Sequence, residues 1–136
     1  MNDEIEQVKL EFPCGLLGFE NYKHFSLVKS EYNPFYWMNS EDNNQISFLV
    51  ADPFIFFSDY EVDVDDETLA KIGIKNPEEV VVLTIITIPG NGKNLTANLQ
   101  GPLVINKNTK TAIQAILADA KWTTKHEILP GSLKGD

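Results

Sequence analysis

The most constraining feature of the sequence is the run of residues 80–88, in which nearly every side chain is branched at Cβ. Such side chains are stiff at χ1 and favour strands over helices. A strand without polar alternation is typical of one that is buried on both faces. Pro89 and Gly90 then end the run. We therefore predict that residues 80–88 form the central strand of a sheet.

Shorter segments of strand type follow one another along the chain, separated by turns rich in Gly, Pro or Asn. Val8, Leu10 and Phe12 alternate with polar residues, which predicts a half-buried strand. The other predicted strands are residues 24–28, 35–38, 46–50, 60–64, 95–99, 103–106 and 111–117. The last of these has a spacing of apolar residues that also suits a helix, and we predict a strand there.

One short helix is predicted after Asp65, whose side chain can cap it. Asp66 and Glu67 follow in the first turn, where negative charge is favourable, and Gly73 is placed to end the helix. Many short strands with one helix and no βαβ spacing predict a mainly β fold, a small antiparallel β-barrel or sandwich-like barrel. We expect a single domain over residues 1–136, with residues 122–136 as a flexible tail.

The charge balance indicates the kind of partner. Eleven Lys and Arg against 20 Asp and Glu give a net charge of -9, which repels phosphate and argues against direct nucleic-acid binding. The same charge favours encounter with a basic protein. No apolar stretch is long enough to span a bilayer, so no membrane contact is expected. Cys14 is the only cysteine and no signal peptide is evident, which predicts a cytoplasmic protein.

Residues that could support catalysis are few. The chain has two His, His24 and His126, and it lacks a glycine-rich phosphate loop. A Cys14–His24 dyad is conceivable, but a small buried thiol and a surface imidazole are the simpler interpretation. Neither His nor Cys occurs at metal-ligand spacing. We predict a protein without catalytic residues, metal or cofactor.

Four carboxylates occur at every second position, at Asp59, Glu61, Asp63 and Asp65. An extended chain would point all of them to one face and would turn Tyr60, Val62 and Val64 to the core. Two interpretations stay open at this point. The charges could guard a sheet edge against aggregation, or they could contact a partner that carries Lys or Arg.

The apolar run of residues 54–57 comes directly before these carboxylates, and alternation cannot bury all of it on one face. It is either a strand covered on both sides or, in part, an exposed aromatic contact, for which we select Phe56. Asn98, further along, suits a turn that bonds nearby backbone and also a partner contact. The candidate partner-binding residues are therefore Phe56, Asp59, Glu61, Asp63, Asp65 and Asn98.

Several short motifs, in this order and spacing, resemble the FliW family of bacterial flagellar assembly factors. They are Gly15-Leu16-Leu17-Gly18-Phe19-Glu20, Pro34-Phe35, Asp52-Pro53, Asp59-Tyr60, Thr96-Ala97-Asn98-Leu99-Gln100 and Pro102-Leu103-Val104-Ile105-Asn106. The resemblance extends from about Phe12 to the region of His126. Gly101 and Trp122 depart from it, since the family more often has Ala and a residue of the Tyr type there.

The resemblance implies a non-enzymatic regulator that binds the translational repressor CsrA and relieves its block on flagellin synthesis. It also implies binding of flagellin itself, which would compete with CsrA. Two alternatives remain open from the residues alone. One is an acidic β-barrel adaptor or subunit unrelated to flagella, and the other is a hydrolase that gathers Cys14 or Asp59 with a histidine in a pocket.

Overall fold

The computed structural model describes residues 7–90 and 94–128. The strands are β1 Val8–Glu11, β2 His24–Lys29, β3 Tyr36–Ser40, β4 Ser47–Ala51, β5 Val80–Thr87, β6 Thr96–Ala97, β7 Leu103–Asn106, β8 Ala112–Gln114 and β9 His126–Glu127. The α-helix α1 spans Asp66–Lys71, and short 3-10 turns lie at Pro53–Ile55 and Pro77–Glu79. This confirms a mainly β fold with one short α-helix among the described residues.

Every pairing between named strands is antiparallel, and β5 connects the two parts of the sheet. The carboxyl half of β5 pairs with β4 on one side and β6 on the other. Its amino half pairs with β7, which pairs with β8. An isolated bridge between Glu11 and Thr111 brings β1 close to β8 without a strand ladder, so the barrel-like sheet is not closed.

The central position of β5 is as predicted, but its burial on both faces is not. Leu83, Thr84 and Ile86 are buried, whereas Val81 is exposed. Val81 is exposed because β4 ends at Ala51, opposite Thr84, and no described strand continues beyond it along β5. A local sequence pattern cannot show where a neighbouring strand ends, which is why this difference was not foreseen.

The sheet separates two apolar clusters, because successive side chains of a strand point to opposite faces. In β4, Leu49 and Ala51 belong to one cluster, and Val50 belongs to the other. The Phe12 and Phe25 rings meet edge to face in the second cluster, with centroids 5.5 Å apart. Both clusters contain residues from distant parts of the chain, so the core joins segments that are far apart in sequence.

Four strand predictions need correction. Residues 60–64 lie outside the sheet, and residues 54–57 form a 3-10 turn and the residues after it instead of a strand. The predicted strands 95–99 and 111–117 shorten to β6 and β8, and the helical alternative for residues 111–117 is wrong. Residues 54–57 do not form a strand because Pro53 starts the 3-10 turn and the Asp52 side chain caps it by accepting a hydrogen bond from the Phe54 amide.

The expected tail does not begin at Trp122. Trp122 and Ile128 are buried, and β9 between them pairs with β6. The buried tryptophan packs edge to face on Tyr60, with ring centroids 4.9 Å apart. Because burial of such residues stabilises the fold, residues 122–128 are part of the core. The rest of the predicted tail, residues 129–136, lies outside the described residues.

Candidate protein-binding surface

Residues 60–65 cross the surface in an extended conformation between the 3-10 turn and α1. Burial alternates as the sequence predicts: Tyr60, Val62 and Val64 turn inward, and Glu61 and Asp63 are exposed. The Tyr60 hydroxyl donates a buried hydrogen bond to the Leu99 carbonyl at 2.7 Å. Among the residues that the structure describes, side-chain contacts and not ladder hydrogen bonds therefore hold this segment against the sheet.

The four predicted carboxylates are all exposed, but they do not share one role. Asp59 forms an ion pair with Lys121, with 3.3 Å between its Oδ2 and the lysine Nζ. Asp65 caps α1 by accepting a hydrogen bond from the Thr68 amide at 2.8 Å. Bonds to the Thr68 side chain and backbone lower the pKa of Asp65 below its ordinary value. These two acidic groups thus have structural partners.

Glu61 and Asp63 make neither a hydrogen bond nor an ion pair within the described ranges. Their segment lies outside the sheet, so these charges do not guard an edge of their own strand. Asp66 and Glu67, in the first turn of α1, extend the same negative surface. We call Glu61, Asp63, Asp66 and Glu67 the acidic rim.

An apolar groove of about 670 Å³ runs beside the acidic rim. Val62 and Val64 line it from the extended segment, and Leu69 lines it from α1. The opposite wall comes from the sheet and includes Val82 and Val104. Phe54 lies at the groove with 44% of its surface exposed. An apolar groove with a charged rim is the anatomy of a protein-binding surface.

A smaller hollow lies on the other side of the extended segment. Ile116, 60% exposed, lines it together with Asp63 and Asp65. An exposed isoleucine between carboxylates places a second apolar contact within reach of the acidic rim. The surface that we assign as the candidate site therefore consists of the apolar groove, the acidic rim and Ile116.

Phe54 and Phe56 belong to the same apolar run, but the structure buries them to different extents. Phe56, the predicted contact, is only 9% exposed and stacks on Phe35 with ring centroids 5.9 Å apart. Phe54 is the exposed aromatic residue of the pair. A contact through Phe56 stays a prediction, but its burial favours a role in the core. Sequence reasoning missed Phe54 because both residues lie in one apolar run.

Asn98 lies away from this surface, in a turn before β7. Its side-chain oxygen accepts a hydrogen bond from the Gly101 amide at 2.9 Å. Its carbonyl accepts another from the Thr84 hydroxyl at 2.7 Å. Gln114 completes the turn by donating to the Gly101 carbonyl at 3.1 Å. These bonds support the structural interpretation of Asn98, and a partner contact there stays a prediction.

Cys14 and the two histidines make different contacts in the structure. Cys14 is exposed and free. His24 faces the carboxylates of Asp42 at 3.7 Å and Glu11 at 4.0 Å, and the His126 ring packs edge to face on Phe57. In residues 7–90 and 94–128, no three His, Cys, Asp or Glu side chains come together as a metal site. Within those same ranges, no helix has the length and apolar character that crossing a membrane requires.

Comparisons with known proteins agree with the fold and the motifs. The FliW protein family model matches residues 2–128. The flagellar assembly factor FliW of Treponema denticola is 48% identical over 124 residues, which cover 91% of this chain and 84% of that protein. The FliW of Bacillus subtilis is 39% identical over 129 residues, covering 94% and 90%. A crystal structure of the flagellar assembly factor FliW has a TM-score of 0.83 at 34% identity, covering 90% of this chain and 86% of the other.

Proposed function

The chain belongs to the FliW family of flagellar assembly factors, and we propose that it acts by binding proteins and catalyses no reaction. Its proposed partners are the RNA-binding repressor CsrA and flagellin, and its proposed location is the cytoplasm. The single observation that carries the proposal is the apolar groove with its acidic rim. The family makes an adaptor unrelated to flagella the weaker alternative.

Charge supports CsrA as the partner of this surface. A protein that binds RNA presents basic residues to phosphate, and these residues suit the carboxylates of Glu61 and Asp63. Both carboxylates are exposed, so they can pair with Lys or Arg of a partner. The groove supplies apolar area that can be buried at the centre of the contact, with charge at its edge. Negative charge brought next to the repressor would also oppose RNA binding.

Flagellin would act as the competing partner. When flagellin accumulates, it occupies the protein and leaves CsrA free to repress. When secretion removes flagellin, the protein is released to bind CsrA again. Synthesis is thereby coupled to export through binding equilibria alone, because whichever partner is more abundant takes the larger share of the protein.

Calorimetric titration with CsrA, at low and moderate salt and with or without flagellin, tests the proposal. The decisive variant carries Glu61→Lys and Asp63→Lys, because both side chains are exposed and lack partners in the described structure. We expect the Kd for CsrA to rise about tenfold or more, since like charges then face each other across the interface. Added salt should weaken the binding of CsrA to the original protein more than its binding to the variant.

A charge-matched control carries Glu31→Lys and Glu127→Lys, two exposed positions that do not line the groove. This control should bind CsrA within about twofold of the original protein, because distant exposed charges are screened by salt. Equal loss of affinity in both double variants would show a general charge effect and contradict the assigned surface. No binding of the original protein to CsrA or flagellin would contradict the proposed function.

A further inference from the structure

Among the described residues, no strand pairs with the amino half of β5 on the side where β4 would lie. The Glu79 carbonyl accepts from the Lys107 amide, and the Ile85 carbonyl accepts from the Asn98 amide. Odd-numbered residues of this stretch therefore direct their backbone groups toward β7 and the turn before it. Even-numbered residues direct theirs to the opposite side, because backbone groups alternate along a strand. Val82 thus presents its N–H and C=O to the side where β4 would lie.

That side is empty of strands in the described part of the chain. β4 ends at Ala51, which pairs with Thr84, and the chain then leaves the ladder through Asp52 into the 3-10 turn, which contacts β5 without forming a strand pair with it. The Val80 amide donates to the Pro77 carbonyl, so the Val80 carbonyl and the N–H and C=O of Val82 are the groups that face this side without a strand partner in the described residues. We call residues 80–83 the open edge. An edge of this kind can accept an added strand.

Apolar hollows lie on both faces of the open edge. Val80 and Val82 face the groove described above. Val81 and Leu83 line a second hollow of about 440 Å³, together with Leu10 and Leu27. An extended segment placed along the edge would direct alternate side chains into the two hollows. Backbone bonds would then supply affinity, and the hollows would supply selectivity.

The second hollow is positively charged at its margin, in contrast to the rest of this acidic protein. Lys29, Lys107 and Lys110 line it, against a single carboxylate from Asp52. None of the three lysines is ion-paired with a carboxylate of the described residues. Unpaired lysines beside apolar surface favour an occupant that carries carboxylates.

We propose that the open edge is a strand-addition site for an extended segment of a protein partner, with apolar side chains on one face and carboxylates on the other. This goes beyond the proposed function by assigning a second surface and the chemistry of its ligand. A basic repressor does not suit the lysines, so the segment belongs to a different partner. Val82 lines both hollows, and occupation of the edge therefore also narrows the groove.

A synthetic peptide tests the site without either proposed partner. The probe is Val-Glu-Val-Thr-Val-Glu-Val, which has apolar residues on one face and two carboxylates on the other. Hydrogen exchange of the Val82 amide, followed by NMR, reports on the edge itself. We expect the probe to slow this exchange about tenfold at saturation, because an added strand protects the amide. The same peptide with Lys in place of Glu should bind at least about tenfold more weakly.

The protein variant Lys29→Glu with Lys107→Glu should raise the Kd of the Glu probe about tenfold, because it reverses the charge beside the hollow. Lys125→Glu with Lys71→Glu makes the same charge change at exposed positions outside the hollow and should leave the Kd unchanged. Three outcomes would overturn the proposal. The first is that the Glu probe does not bind, and the second is that both protein variants lose the same affinity for it. The third is that the Val82 amide is already protected in the free protein, which would mean that the chain itself or a second copy covers the edge.

Discussion

The buried hydroxyl of Tyr60 donates a hydrogen bond to the carbonyl of Leu99, 2.7 Å away. This bond joins the extended acidic segment to the turn that precedes β7, across 39 positions of the chain. Burial raises the pKa of Tyr60, so the phenol stays protonated and keeps its role as donor. The position of the acidic rim therefore depends on the core beneath it.

Replacing Tyr60 by Phe removes this bond and leaves the Leu99 carbonyl without its donor. We expect the free energy of unfolding to fall by about 1–2 kcal/mol, the usual cost of losing a buried hydrogen bond. Urea unfolding followed by circular dichroism measures the change. Tyr32→Phe is the matched control, because that side chain is 66% exposed, and it should leave stability unchanged. Equal stability of Tyr60→Phe and the original protein would refute the role of the bond.

Phe54 and Phe56 are two positions apart, and replacement by Ala should affect mainly binding at Phe54 and mainly stability at Phe56. Phe56→Ala leaves a cavity beside Phe35 and should cost about 3–4 kcal/mol of stability. Phe54→Ala should cost less than about 1 kcal/mol, because much of its surface is exposed. If Phe54 contacts CsrA, its variant should raise Kd about tenfold. Unfolding curves and calorimetry measure the two effects, and unchanged Kd for Phe54→Ala would remove Phe54 from the surface.

Gly15 and Gly18 both have positive φ, at +69° and +83°, but their surroundings differ. A Cβ at Gly15 would lie 2.5 Å from the Glu20 Cα, whereas a Cβ at Gly18 meets nothing within 4 Å. Gly18→Ala should therefore cost only the backbone strain of about 1–2 kcal/mol. Gly15→Ala should cost clearly more, since backbone has to move as well. Thermal unfolding compares them, and equal melting temperatures would contradict the close contact.

Asp65 should make stability depend on pH in the acid range. Its pKa in the folded protein lies below the ordinary value of 3.8. The unfolded chain therefore binds the proton first as pH falls, and the folded state loses stability from about pH 4 downward. Asp65→Asn keeps an oxygen that can cap α1 but does not titrate. We expect this variant to lose less stability than the original protein between pH 6 and pH 3, measured by urea unfolding.

Asp63→Asn is the control for that experiment, because it removes the same charge from a side chain that caps no helix. Its stability should follow pH as the original protein does. A pH profile of Asp65→Asn that matches that of Asp63→Asn would show that the cap contributes nothing to the acid response.

Local pattern was enough for several parts of the fold. β5 and β7 could be predicted because β-branched and aliphatic runs are stiff and favour strands. The cap of α1 by Asp65 could be predicted as well, since it depends on residues within one turn. Alternation also placed Tyr60, Val62 and Val64 inward, because any extended segment turns successive side chains to opposite sides.

Tertiary structure alone decided which extended segments are strands and which residues reach the surface. A strand requires a hydrogen-bonding neighbour, and residues 60–64 have none among the described residues, although their alternation matches that of β1. Phe54 and Phe56 differ in burial because the 3-10 turn points one toward Phe35 and leaves the other exposed. The open edge exists because β4 ends at Ala51, opposite Thr84. Each of these outcomes depends on contacts between residues far apart in the chain. The periodicity of apolar residues and the strand or helix propensity of each residue do not encode such contacts.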